Sequence, residues 1–218
     1  MDQWEAVLRL FLEALEGTSS GAAGSGEIPV GVSNRHVHLS QGDLDCLFGV
    51  GYQLTKMKDL SQPGQYACKE TVTICGPKGA IEKVRVLGPV RNQTQVEVLL
   101  GDSFKLGVTA PVKLSGELQG TPGITLVGSK GAVQIPEGLV AAQRHIHMSC
   151  EDAKALGVMD GQVVSIEVNG PRGGIYHHVA IRANDTSVLE FHVDTEEANA
   201  MNLDGQSTIK IKEINDFR

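Results

Sequence analysis

Hydrophobic and polar residues alternate along most of the chain, or run apolar, in short stretches separated by glycine turns. That spacing predicts β-strands rather than long helices. Glu70-Thr71-Val72-Thr73-Ile74-Cys75, Lys83-Val84-Arg85-Val86-Leu87 and Gln95-Val96-Glu97-Val98 read this way. So do Ile124-Thr125-Leu126-Val127, Gln162-Val163-Val164-Ser165-Ile166-Glu167-Val168 and Thr208-Ile209-Lys210-Ile211. Helices are few and short. Ser40 and Ser149 stand where N-caps belong, with Asp43 and Asp152 three residues on, as in a capping box. A different period governs the start, where Val7, Leu8, Phe11, Leu12 and Leu15 recur at helical spacing. Met1 to Gly17 is therefore predicted as an amphipathic helix. The run Thr18-Ser19-Ser20-Gly21-Ala22-Ala23-Gly24-Ser25-Gly26 has no side chain able to pack, which makes residues 18–27 a flexible linker. Two uses fit such a helix: folding back on the domain or joining a dimer, or docking into a partner's groove.

The strand-rich remainder is duplicated. Arg35-His36-Val37-His38-Leu39-Ser40-Gln41-Gly42-Asp43 matches Arg144-His145-Ile146-His147-Met148-Ser149-Cys150-Glu151-Asp152. Gly76-Pro77-Lys78-Gly79 matches Gly170-Pro171-Arg172-Gly173, and Val96-Glu97-Val98 matches Phe191-His192-Val193. Three matches in one order argue for duplication. The Gly- and Pro-containing stretch from Ser115 to Gly123 separates the copies, giving halves of 28–118 and 119–218. The expected fold is mainly β with short capping helices, two duplicated small β-barrel halves and the N-terminal amphipathic helix.

Composition narrows the function. Glycine is abundant, at 26 residues, and suits many turns. A formal charge of -7, with no basic run, argues against a nucleic-acid surface. Cys46, Cys68, Cys75 and Cys150 form no CxxC pair, so reduced thiols in a cytosolic setting are expected and a structural zinc of cysteines is not. Nothing resembles a signal peptide, and no segment is long and apolar enough to span a bilayer as a helix.

The duplicated histidines carry the chemistry. Residues i and i+2 of a strand point to one face, so His36 with His38, and His145 with His147, present paired imidazoles. The repeat adds Glu97 in the first half and His192 in the second. Each three-ligand set resembles a catalytic zinc site, which keeps a position open for water or substrate. His177 and His178 are adjacent, face opposite ways and read as surface residues. Cupins also use His-x-His, but they place a carboxylate soon after it, where this chain has a capped helix.

These residues sit in longer stretches that closely resemble the PduL-type phosphate propanoyltransferases, the phosphotransacylases of bacterial microcompartments. The resemblance runs from Pro29 to Asn202. It rests on Val30-Gly31-Val32-Ser33-Asn34-Arg35-His36-Val37-His38, on Tyr52-Gln53-Leu54-Thr55-Lys56-Met57-Lys58-Asp59-Leu60-Ser61-Gln62-Pro63-Gly64-Gln65, on Arg91-Asn92-Gln93-Thr94-Gln95-Val96-Glu97 and on His192-Val193-Asp194-Thr195-Glu196-Glu197-Ala198-Asn199. Ser115-Gly116 and Arg144-His145-Ile146-His147-Met148 match as well. The resemblance implies two interlocked small barrels with a pair of metal ions between them, usually zinc, with cobalt or another divalent ion as the alternative. It assigns one to His36, His38 and Glu97 and the other to His145, His147 and His192. It implies that Arg91 binds phosphate and that Ser33, Lys58, Arg85, Leu87 and Asn199 line a coenzyme A site. It makes Met1 to Gly17 an encapsulation peptide that reaches shell or co-encapsulated enzymes in a microcompartment lumen, and it leaves homo-oligomers open.

The expected reaction joins acyl-CoA and phosphate to give acyl phosphate and CoA, reversibly, by direct attack of phosphate on the thioester. A covalent acyl-cysteine at Cys150 is the competing route. A zinc-dependent metallohydrolase and a metal-stabilised scaffold without chemistry are the other classes. A hydrolase has no need of Arg91, and a scaffold has no need of an open metal position.

Overall fold

In a computed structural model, residues 26–215 are described. The Met1–Gly17 helix and most of the 18–27 linker lie outside them. The strands, in order, are β1 (Ile28–Ser33), β2 (His36–Ser40), β3 (Lys56–Asp59), β4 (Tyr66–Cys75), β5 (Ala80–Arg91), β6 (Gln95–Glu97) and β7 (Val112–Lys113). They continue as β8 (Ile124–Val127), β9 (Ala132–Ile135), β10 (Leu139–Ala142), β11 (His145–Met148), β12 (Val163–Val168), β13 (Gly174–Ala183), β14 (Glu190–Asp194) and β15 (Thr208–Asn215). Four short helices intervene: α1 (Gln41–Phe48), α2 (Asp102–Leu106), α3 (Cys150–Leu156) and α4 (Thr195–Met201).

The strands form two sheets. One is a closed barrel in the order β1-β14-β11-β13-β12-β15; the other is a nine-stranded sheet built from β2 through β10. The chain is thus mainly β with short helices, as the alternation predicts, although only one of the two sheets closes. The division expected at 118/119 falls inside the nine-stranded sheet, because β8 pairs with β4 and β10 pairs with β6 and β7. Strand β1, from the other end of the sequence, runs parallel to β14 and antiparallel to β15. The larger sheet is therefore one continuous stretch of chain, inserted between the first strand of the barrel and the other five.

Each sheet buries its own core. Val37, Leu39, Leu44, Leu47, Ile74, Val86, Leu126 and Leu139 pack in the first, and Ile28, Ile146, Met148, Ile166, Ile181 and Phe191 in the second. Each such side chain contributes about 1.5–3 kcal/mol on full burial. In β2 and β11 the core takes Val37 and Leu39, and Ile146 and Met148; the alternate histidines are left to the other face.

The two repeated caps differ. Ser149 and Asp152 make a complete capping box at α3. At α1, Ser40 Oγ accepts from Asp43 N–H, but Ser40 N–H donates to Thr94 Oγ1 at 2.8 Å, and that hydroxyl also bonds Asp43. Thr94 takes the place of the reciprocal carboxylate bond, which ties α1 to the strand that carries Glu97. The repeated arginines act alike. Arg35 holds Asp102 through two hydrogen bonds (2.7 and 2.9 Å), and Arg144 bonds Glu197 at 2.5 Å. Each joins the start of a His-x-His strand to the acidic residue five positions beyond the third member of its set.

Glu70 is a buried carboxylate away from the histidines. It accepts from Tyr52 O–H (2.9 Å) and Thr55 N–H (3.1 Å). Burial opposes its charge, but the donors on Thr55 and Tyr52 prevail and hold the carboxyl below its ordinary range. A depressed carboxyl stabilises the fold fully above the value of the unfolded chain, about pH 4.3, and that contribution is lost as pH falls through the folded value. Glu70→Gln should cost about 1.5–3 kcal/mol near pH 7, as loss of hydrogen bonds to a charged group does. In urea titrations at a series of pH values, the gap from the parent protein should shrink steadily below about pH 4.3.

Candidate metal centres and substrate cavity

Backbone pairing assembles both ligand sets in the same way. Antiparallel β2 and β6 set His36 opposite Glu97, and antiparallel β11 and β14 set His145 opposite His192. The strand period brings His38 and His147 to the same faces as their partners. Among the described residues, His36, His38 and Glu97 bring their ligand atoms within 4.8 Å of one another, as do His145, His147 and His192. Both groups predicted from the repeat are therefore brought together.

The donors fit divalent metal ions. His36 and His145 each place Nδ1 against a backbone carbonyl two residues earlier, Asn34 O at 2.8 Å and Gln143 O at 2.7 Å. Such contacts fix ring orientation in metal-binding histidines. Nε2 of His145 lies 3.1 Å from Nε2 of His147, whose buried Nδ1 has no hydrogen-bond partner. Burial pushes His38 down to about 3, His145 to about 4 and His147 to about 3, so these rings are neutral near pH 7 and keep a lone pair for a metal. In the first set, burial alone would raise the Glu97 carboxyl, but His36 beside it holds it well below the carboxylate range. Burial likewise opposes a charged His36, and Glu97 at 3.3 Å overcomes it and raises the ring.

Both sets open on one cavity of about 580 Å³. Arg91, Ser33, Arg85 and Leu87 line it. Lys58 is exposed on β3, and exposed Asn199 on α4 accepts from Arg172 through its carbonyl; neither belongs to the lining. Arg91 Nη1 donates to Ser115 Oγ at 3.1 Å. Burial, only partly offset by Glu97, lowers the proton affinity of Arg91, and nearby Arg182 lowers it further. Cys150 is absent from the lining, and its thiol is pushed up by a hydrogen bond with Asp185.

Several polar residues of the site were not singled out from sequence. Gln95 donates to Glu97 Oε1 (2.5 Å) and to Ser115 Oγ (2.9 Å), so one hydroxyl joins a ligand's support to Arg91. Glu190 bonds His192 Nε2 and Ser61 Oγ. Gln95 and Glu190 lie two residues before the third ligands, so strand period on the matched repeat would have found them. Arg182 enters through the parallel pairing of β13 with β11, opposite His147, and no local signal marks it.

Residues 29–204 match the family model described as phosphate propanoyltransferase. The phosphate propanoyltransferase of Thermotoga maritima is 56% identical over 188 residues, covering 86% of this chain and 90% of that protein. That of Rhodobacter capsulatus is 52% identical over 187 residues, covering 86% and 87%. That of Salmonella typhimurium is 50% identical over 178 residues, covering 81% and 84%.

Proposed function

The chain belongs to the phosphate propanoyltransferase family and is a transferase, and from that premise we propose that it interconverts acyl-CoA and phosphate with acyl phosphate and CoA at a pair of metal ions. The observation that carries this reading is the convergence of two three-ligand sets with Arg91 and Arg182 on one cavity. Zinc suits both sets, and cobalt suits the same donors. Propanoyl-CoA and acetyl-CoA are the proposed substrates.

Bound metal would supply Lewis acidity at the acyl carbonyl and a site for the thiolate sulfur. The residues of the chain do the positioning. Arg91 offers phosphate a planar fork, oriented by Ser115, and Arg182 adds a second positive charge from the barrel. The phosphate oxygen attacks the thioester carbon directly, the carbon–sulfur bond breaks, and the proton lost by hydrogen phosphate ends on sulfur. Ser33, Arg85 and Leu87 support a coenzyme A path along the cavity wall; Lys58 and Asn199 are proposed to meet the nucleotide beyond it. The pattern of Met1 to Gly17 and its linker supports docking to shell or co-encapsulated enzymes within a bacterial microcompartment lumen.

The full-length protein, mixed with propanoyl-CoA and phosphate, should release free thiol only when phosphate is present; a chelator should abolish release, and zinc or cobalt should restore it. Thiol release without phosphate would instead indicate a hydrolase. Arg91→Ala should raise the KM for phosphate and lower kcat, with kcat/KM down about 10- to 150-fold for a lost charged hydrogen bond; unchanged phosphate kinetics would remove Arg91 from the reaction. Cys150→Ser should keep near-parental turnover, and loss of nearly all activity with metal retained would overturn direct transfer.

A further inference from the structure

The repeat extends one position beyond the ligands, with its chemistry exchanged. Gln95 lies opposite His38 and two residues before Glu97, while Glu190 lies opposite His147 and two residues before His192. Each touches the third ligand of its own set: Gln95 through its amide, Glu190 through its carboxylate. The first half thus has a carboxylate ligand with an amide neighbour. The second half has an imidazole ligand with a carboxylate neighbour. Each set keeps one carboxylate, placed at opposite ends of the same two-residue step.

Glu190 is built into its place from three sides. Ser61 Oγ donates to it from the other sheet, and the neighbouring Gln62 fastens the approach to β14 by donating to Val188 O (2.9 Å) and accepting from Val188 N–H (3.2 Å). Gly31, which pairs with His192 in the β1–β14 register, leaves the space the carboxylate fills. A Cβ on Gly31 would stand 2.7 Å from Glu190 Cδ and 2.8 Å from Oε1, closer than real contacts allow. The backbone of Gly31 is ordinary, so room for Glu190 and for the edge of the His192 ring, whose Cδ2 would lie 3.0 Å from that Cβ, is what the glycine provides.

We propose that Glu190 is the positioning residue of the second metal set, fixing His192 for the metal and supplying from outside the ligands the negative charge that Glu97 supplies from within the first set. Glu190 holds Nε2 of His192, which leaves Nδ1 as the nitrogen for the metal. A carboxylate on the non-ligating nitrogen of a histidine fixes its tautomer and orientation and raises its basicity, and loss of such a partner weakens metal affinity roughly 10- to 100-fold. This inference rests on the reading of both sets as metal sites.

The test is zinc bound per chain by the full-length protein, measured by elemental analysis at a buffered free zinc concentration just sufficient to fill the parent, with circular dichroism as the check on folding. The parent should hold two ions. Glu190→Gln, which leaves every ligand in place, should fall to one, and so should Gly31→Ala, whose Cβ would crowd the carboxylate and, at 3.0 Å, His192 Cδ2. The double variant Glu190→Gln/His192→Glu moves the carboxylate to the ligand position, as in the first set, and should return to two. Two ions of undiminished affinity in both single variants, or one ion in the double variant, would overturn the proposal. If a single variant fails to fold, the double variant decides alone. A parent with no zinc would overturn the reading of the sets themselves, a result distinct from two ions in every variant.

Discussion

Everything in the site depends on the register between each His-x-His strand and its antiparallel neighbour. His36 faces Glu97 and His145 faces His192 because β2–β6 and β11–β14 pair in the same frame. A slip of one residue in either ladder would send a candidate ligand to the core face and a Val or Phe to the cavity. The alternation that keeps Val37, Leu39, Ile146 and Met148 buried is what guards that register, so the apolar core and the ligand geometry are two faces of one constraint. The arginine clamps to Asp102 and Glu197 hold the ends of the same ladders, from opposite sides of the chain's duplication.

The cavity lies where the two sheets meet, and its polar network is stitched across that seam. Ser61 and Gln62, beside the nine-stranded sheet, reach Glu190 and Val188 next to the barrel. Gly101 N–H, following the strand of Glu97, is capped by Glu196 of α4 in the barrel. Neither set is therefore held by its own sheet alone. Arg91 from one sheet and Arg182 from the other place two positive charges on a common cavity, with a spacing that depends on that seam.

Much of this was legible in the sequence because it is local. The alternation over Ile124–Val127 gives a strand with its observed bounds, and a period of two with a repeat gives the two candidate sets. The less visible parts depend on pairing between distant residues. All four residues of β3 are exposed and polar or flexible, and only the edge of β4 makes them a strand. Strand β13 opens Gly174-Ile175-Tyr176 and bulges at His178, where φ is 57°, so its alternation is broken before it reaches Arg182. Thr94 reaches the cap of α1 from just before β6, fifty-four residues from Ser40, which no N-cap pattern encodes. Sheet membership was the largest difference: a division at 118/119 follows the repeat, whereas β8, β9 and β10 hydrogen-bond within the earlier sheet.

That insertion has a consequence for synthesis on the ribosome. Strands β2 through β10 form an unbroken segment, so the larger sheet, with His36, His38 and Glu97, is complete in sequence as soon as Ala142 emerges. Strand β1 leaves the tunnel before all of them, yet both of its neighbours, β14 and β15, belong to the last part of the chain. Its edges stay unpaired until β14 and β15 emerge, the state in which strands recruit unintended partners. The first candidate set is ready early, the second only when β14 arrives, and the nascent chain carries β1 as a strand that has nowhere yet to dock.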